Sequence, residues 1–308
     1  MSRLLLIIDI SHDSVTVCHF DMRRFSPAVT ESYSLMDFVD IQTALDHHFR
    51  QRSSSVYEAC CIVCDAIYTD EWIIPAHNPQ MRLSISRLKT YSHISKVFFL
   101  SPSEALSFSA LATEAGLLQH LTGPNNITGN PLRFAVETTG RFSCSLFTGN
   151  LNSGRWYSGC IHCDEPQITI NDAALTGYMH DHGNSVLLNE RGLMLLYGYF
   201  CTDSDRRADC QTYSDVLSGT SGHDEPARRA AISTYFDLLG RFFLQIKQQT
   251  FADDQDAAFV VHTSRPDLFS VNFREYIAAA PDFNPVYSVY LNSSATPRLY
   301  GAAMKACC

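Results

Sequence analysis

Apolar and polar positions divide the start of the chain into a hairpin. The run Leu4-Leu5-Leu6-Ile7-Ile8 is followed by Asp9-Ile10, a tight turn Ser11-His12-Asp13-Ser14, and a returning stretch over 15–20. Apolar residues on consecutive positions are buried on both faces, so this strand is expected at the centre of an α/β sheet. Asp9 is then a polar group at the strand end, where a mixed sheet opens to its cleft.

The same reading gives the remaining elements. Residues 37–50 read as a helix, because Phe38, Ile41, Leu45 and Phe49 recur at three- and four-residue steps. Short strands are expected over 59–64, 71–75 and 97–100, with a helix over 81–88. Ser101-Pro102-Ser103 breaks the chain before a helix over 104–121, with Ser103 as its N-cap and Glu104 set against the helix dipole. Residues 122–131 are loop by composition, and 132–136 and 143–147 are strands around Glu137-Thr138-Thr139-Gly140-Arg141. Residues 156–170 read as irregular, 173–179 and 186–200 as helices, and 203–224 as a polar surface loop. The longest helix covers 226–249, with proline in its first turn and a core-facing stripe of Ile232, Phe236, Leu239, Phe243 and Ile246. Strands over 257–261 and 286–291 and a helix over 298–305 close the chain. Strands and helices alternate in two batches, which suggests two α/β halves facing one cleft.

Composition narrows the function classes. With 308 residues there is room for two domains, each with its own core. A hydrophobic share of 45% against 18% charged is that of a globular protein. The net charge of −9 argues against nucleic acid and anionic membranes as partners. No apolar run approaches the roughly 18 residues of a membrane span. The run 4–8 is too short for a signal-peptide core and stops at Asp9, so the eleven cysteines are expected reduced in a cytoplasm. The terminal Cys307-Cys308 does not fit the prenylation box and reads as an exposed tail.

Over nearly its whole length, and in order, the chain resembles the bacterial glucokinase family, within the sugar kinase, heat-shock ATPase and actin superfamily. Leu6-Ile-Ile-Asp9 and its turn resemble the first phosphate-loop hairpin. Cys61 to Trp72 with Ala76-His77 resembles the second strand pair and its turn. Ile94 to Phe108 resembles the strand, catalytic turn and crossover helix. Pro131 to Leu146, with Thr139-Gly140, resembles the second phosphate hairpin. Arg155-Trp156 precedes the sugar-binding segment. Val186 to Tyr197, Arg228 to Phe243 and Leu299-Tyr300-Gly301-Ala302 resemble the later helices. The resemblance implies a two-domain actin-like (ribonuclease H-like) ATPase fold, with mixed sheets flanked by helices around a central cleft. It implies a small domain of 1–106 plus about 297–308 and a large domain of 107–296. The family's activity is ATP:hexose phosphotransfer, and its members are often dimers.

Against that pattern the scaffold matches and the chemistry departs. The family's first turn carries two glycines, then Thr-Asn; here Asp9 leads into Ser11-His12-Asp13-Ser14. Glycine lets backbone N–H groups approach phosphate with no Cβ in the way. A carboxylate such as that of Asp13 about 4 Å from a phosphate charge costs up to ~4 kcal/mol at an effective dielectric of about 20. The catalytic Asn-Asp becomes Ser101-Pro102, and proline has no acid–base group. General-base catalysis contributes roughly 10²–10⁴-fold. Glu104 lies two positions on, but from a helix's first turn it would point elsewhere. In the second phosphate turn only Thr139-Gly140 remains. The sugar segment Glu-Gly-Gly-His becomes His162-Cys163-Asp164-Glu165, and Ser185 stands where a further sugar-binding Glu is expected. The late Gly-Gly beneath adenosine becomes His262-Thr263.

Other constellations carry less. Cys160-x-His162-Cys163 with Asp164 and Glu165, near His180-x-His182, offers metal ligands, but tetrahedral zinc usually shows two well-spaced pairs, so no metal is expected. Cys60-Cys61-x-x-Cys64 lies within a buried strand, away from any helix N-terminus, which disfavours redox chemistry. Asp46-His47-His48 reads as a solvated helix face. The expectation is a glucokinase-like pseudoenzyme, without cofactor, regulating or binding a protein partner. One alternative is a hexose kinase with a remodelled site using ATP and magnesium. Another is a sugar sensor using His162 and Glu165.

Overall fold

A computed structural model describes residues 4–51, 56–92, 94, 96–111, 117–124, 132–139, 142–150, 155–160, 173–181, 187–201, 212–219, 225–250, 256–279, 287–294 and 296–307. The chain forms two compact units, one of Met1–Ala115, Leu151–Gly159 and Thr296–Cys308, the other of Gly116–Asn150 and Cys160–Ala295.

The first unit begins with β1 (Leu4–Ile10), β2 (Ser14–Asp21) and β3 (Ser26–Ser34), then α1 (Ile41–Gln51) and β4 (Tyr57–Val63). A small sheet of β5 (Ala66–Tyr68), β6 (Trp72–Pro75) and β7 (Leu83–Ser84) follows, then α2 (Ile85–Ser92), β8 (Val97–Leu100) and α3 (Pro102–Ser109). The main sheet has the order β3-β2-β1-β4-β8, so β1 is central as its two-sided apolar run requires. β1 runs antiparallel to β2 and parallel to β4, and β4 parallel to β8. The closing helix of the chain, α9 (Pro297–Cys307), packs on α3.

Later come β9 (Leu118–Thr122), β10 (Leu132–Glu137), β11 (Ser143–Asn150) and β12 (Arg155–Cys160). Helices α4 (Ala173–Asp181), α5 (Glu190–Phe200), α6 (Tyr213–Ser218) and α7 (Glu225–Thr250) follow, then β13 (Ala257–His262), α8 (Pro266–Ala279) and β14 (Ser288–Asn292). Their sheet has the order β12-β11-β10-β13-β14-β9, with β10, β13 and β14 parallel. All five stripe residues of α7 are buried, and Phe243 stacks on Phe259 of β13 at 4.3 Å between centroids. Such pairs add roughly 0.5–1.5 kcal/mol beyond area burial.

Several sequence expectations are corrected, most by a local cap and one by long-range strand pairing. The first helix starts at Ile41, not 37, because Asp40 accepts the Thr43 N–H at 2.7 Å. Residues 83–84 pair with β6 before α2 begins, and Arg82 sits over Trp72. The helix placed at 104–121 is α3, capped by Ser101 rather than Ser103 and ending at Ser109. Residues 118–122 are instead the strand β9, held by antiparallel pairing to β14. Here tertiary pairing overrides helical propensity. The helix of 186–200 starts at Glu190, where Asn189 accepts the Gly192 N–H at 2.8 Å. A Cβ at Gly192 would lie 2.3 Å from the Leu187 carbonyl oxygen, so this entry needs glycine. Within the supposed loop 203–224 a Thr212–Asp215 capping box starts α6, and Gly219 ends it at φ +62°. The stretch read as irregular contains β12. Strand β3 and helix α8 have no counterpart in the sequence reading.

Candidate functional site

In the first unit, three parallel strands end side by side. β1 brings Asp9, β4 leads into Cys64 and Asp65, and β8 leads into Ser101. The turn after β1 is closed on itself. The Ser11 N–H donates to the Ser14 carbonyl at 2.9 Å, and the Ser11 hydroxyl lies 2.8 Å from the Ser14 hydroxyl and 3.1 Å from the Asp13 carboxylate. The Asp13 carbonyl accepts the Leu35 N–H at 2.8 Å, which ties the turn to the end of β3. His12 is exposed, its ring 5.2 Å from that of His77. ATP does not fit this turn as it would fit a glycine loop: the Ser11 N–H and the Ser11 and Ser14 hydroxyls are engaged within it, and Asp13 presents an exposed carboxylate.

Ser101 is the N-cap of α3 and Pro102 its first residue. Glu104 folds back, accepting the Ser101 N–H at 2.8 Å and its hydroxyl at 3.0 Å, while Ser101 Oγ accepts the Glu104 N–H at 3.2 Å. The carboxylate nearest Pro102 therefore completes a reciprocal cap. The neighbouring thiols are held protonated by burial. Burial, then the charges of Asp65 and Asp9, push the Cys64 thiol up to about 12, and burial pushes Cys61 up to about 12 against the pull of Lys305. Cys60 is raised well above its ordinary value, again by burial.

The second unit builds a separate polar cluster at the ends of β10 and β13. Thr138 donates its N–H and its hydroxyl to the His262 carbonyl, at 2.9 and 3.0 Å. The Thr139 hydroxyl donates to Glu137 at 3.1 Å. The Thr138 carbonyl accepts the Glu190 N–H at 3.0 Å. The Glu190 carboxylate then accepts the Ser264 N–H at 2.8 Å and lies 3.2 Å from the Thr263 hydroxyl, itself 3.2 Å from the Tyr213 hydroxyl. Burial, followed by Tyr235, keeps the Tyr213 phenol protonated far above its ordinary range.

Thr138, His262 and Thr263 are thus brought together, and Glu190, which sequence reasoning passed over, links Thr138 to Thr263, while the Thr139 hydroxyl turns to Glu137. The signal was present as Asn189-Glu190 opening an apolar helix, a cap with an acid in its first turn. Gly140, His162, Glu165 and Ser185 lie outside the described residues. Among the described residues no group of three or more His, Cys, Asp or Glu side chains is arranged to hold a metal. A groove of about 540 Å³ runs along α7 and α8, lined by Arg228, Arg229, Ser233, Asn272 and Tyr276, and contains none of these positions.

Two mixed sheets, each with an antiparallel hairpin beside parallel strands that end at the polar residues above, define an actin-like α/β fold of the sugar-kinase type. A glucokinase from an Antarctic psychrotroph has the same fold, with a TM-score of 0.68 at 14% identity and 99% of each chain covered. Leishmania braziliensis glucokinase follows at 0.67 and 13% identity, covering 99% of this chain and 93% of that one. A ROK family transcriptional regulator, a homologue of the E.coli MLC protein, gives 0.62 at 10% identity over 99% of this chain and 78% of that one. No curated protein matches in sequence. A family model described as Glucokinase matches residues 9–250, and the chain belongs to the glucokinase family. No helix among the described residues is long and apolar enough to cross a membrane.

Proposed function

We propose that this member of the glucokinase family transfers no phosphate and acts as a regulatory or protein-binding module in the cytoplasm, through a protein partner. The observation that carries the reading is the turn after β8. Pro102 stands where the family resemblance expects a general base, and the only carboxylate of that helix turn, Glu104, is bound to Ser101 as a cap. Loss of the base removes roughly 10²–10⁴-fold in rate by itself. The closed Ser11–Ser14 turn acts in the same direction, since it sets hydroxyls and the Asp13 carboxylate where a phosphate loop needs N–H donors. One structural neighbour, a transcriptional regulator by its description, supports regulation as a use of this fold.

The test is a thermal-shift panel of nucleotides with magnesium and of hexoses, run beside affinity capture from the native host. A partner recovered with no nucleotide shift supports the reading. A shift with ATP that disappears on changing Asp9 supports instead a kinase with a remodelled site, for which the family name speaks. A shift with sugar alone points to a sensor using His162 and Glu165.

A further inference from the structure

The first unit buries a line of hydrogen-bonding side chains that none of the chemistry above uses. His19 on β2 is 5% exposed and His48 on α1 is 0% exposed, and their Nε2 atoms lie 2.9 Å apart. At one end His48 Nδ1 is 3.0 Å from Glu31 Oε2 of β3, which also accepts the Tyr33 hydroxyl at 2.6 Å. At the other end the Tyr57 hydroxyl of β4 is 3.0 Å from His19 Nδ1. His48 is therefore not the solvated residue that its Asp-His-His setting suggests.

The partners dictate where the protons sit. His48 Nδ1 is also 2.8 Å from the Tyr33 hydroxyl, whose hydrogen goes to Glu31, and a carboxylate only accepts, so His48 Nδ1 carries hydrogen and donates to the Glu31 and Tyr33 oxygens. In a neutral ring His48 Nε2 then accepts, so His19 Nε2 donates, and His19 Nδ1 accepts from Tyr57. Every ring nitrogen is served with both imidazoles neutral. One added proton is absorbed by reversing the line: His48 donates at both nitrogens, and His19 moves its hydrogen to Nδ1, facing the Tyr57 oxygen. A second added proton would set N–H against N–H across 2.9 Å in a buried space.

We infer that the His19–His48 pair is a proton-responsive lock on the first unit, closed when the pair holds at most one extra proton. The pair joins α1 to β2, and Glu31 and Tyr57 extend it to β3 and β4, so opening it loosens four elements at once. Tyr33 of β3 meets His48 Nδ1 at 2.8 Å, and His47 of α1 has its ring 5.9 Å from that of Tyr33. β1 faces it with Leu6, the register partner of His19. Unfolded imidazoles take up two protons below a pH of about 6.5, and the folded pair takes up at most one. The unfolded state then binds more protons, so the lock weakens as pH falls through that value, by up to tenfold in the opening equilibrium per pH unit for each proton withheld.

The experiment is a histidine-ring NMR titration of the full chain from pH 7.5 to 5.0, with amide hydrogen exchange of β2 and β3, corrected for intrinsic rates, in parallel. The expected result is that His19 and His48 together gain no more than one proton before exchange protection of β2 and β3 drops. Both buried rings titrating near 6.5 with protection unchanged would overturn the inference. In His48→Gln, which keeps a polar group there, the acid loss of protection should become shallower by up to tenfold per pH unit. An unaltered slope in a folded variant would count equally against it.

Discussion

Gly301 is where the chain's last helix comes closest to its neighbour, and replacing it by alanine separates two physical effects of opposite sign. An alanine Cβ there would lie 1.7 Å from the Ala105 carbonyl oxygen, 2.7 Å from its carbon and 3.0 Å from the Ser109 nitrogen. All three are backbone atoms of α3 and cannot rotate aside. Restoring ordinary contact requires α9 to retreat by roughly 1.7 Å, and a gap of 0.5–1 Å already forfeits a quarter to a half of a dispersion well. The retreat also disturbs the edge contact of Tyr300 with Phe20 and the seat of Lys305 over Phe108. Overpacking of this kind costs about 1–3 kcal/mol, and the rigid partner puts Gly301→Ala near 3. Helix propensity alone would favour alanine by about 1 kcal/mol. The two effects together leave about 2 kcal/mol, and the expected outcome is a drop of roughly 7 °C in the melting temperature of the first unit, at 3–4 °C per kcal/mol for a unit of this size. Differential scanning calorimetry measures it, with Gly177→Ala as control, because a Cβ at 177 in α4 meets nothing within 4 Å. The control should melt as wild type or slightly higher. A Gly301→Ala protein that melts with the control would refute the close approach of α3 and α9.

Three smaller predictions follow from named groups. Ser101→Ala removes the cap of α3 and releases Glu104, at about 1 kcal/mol of stability by urea titration; no change would mean the reciprocal cap does not form. Native Cys60, Cys61 and Cys64 should react with a thiol reagent at pH 8 only at the rate of unfolding, since burial holds their thiols protonated; fast labelling at these positions by mass spectrometry would contradict this. Glu225 is held down to about 2, first by its hydrogen bond to Arg228, with burial opposing and Arg229 adding a further pull. A depressed folded pKa adds stability above the unfolded value near 4.3, and that stability is lost as pH falls towards about 2, so Glu225→Gln should flatten the acid limb of the stability curve in that window. The effect is reduced by solvent screening, because the Glu225 side chain is 44% exposed.

Where a residue's partner lay nearby in sequence, the pattern gave the structure directly. The two-sided apolar run of β1 and the stripe of α7 were legible because burial alone decides them. Long-range pairing was not legible. Residues 118–122 carry leucines that suit a helix, and only β14, far along the chain, makes them a strand. β3 reads as polar because an edge strand needs only one apolar face, and its inward Glu31 answers to a histidine on another element. His48 was misread for the same reason: a buried imidazole is recognisable by its partners, which sequence adjacency does not supply. At the site, the departures at Ser11–Ser14 and Pro102 could be read residue by residue. Glu190 could not, because its role is set by contact with Ser264 and Thr263 more than seventy positions away.

The central claim is that this glucokinase-family chain has lost phosphoryl transfer. The measurement closest to it is isothermal calorimetry of ATP with magnesium into the full chain, in the presence and absence of glucose, with a coupled ADP-release assay on the same preparation. The account predicts no saturable nucleotide heat and no hexose-dependent ADP. Saturable ATP binding accompanied by hexose phosphate formation would contradict it.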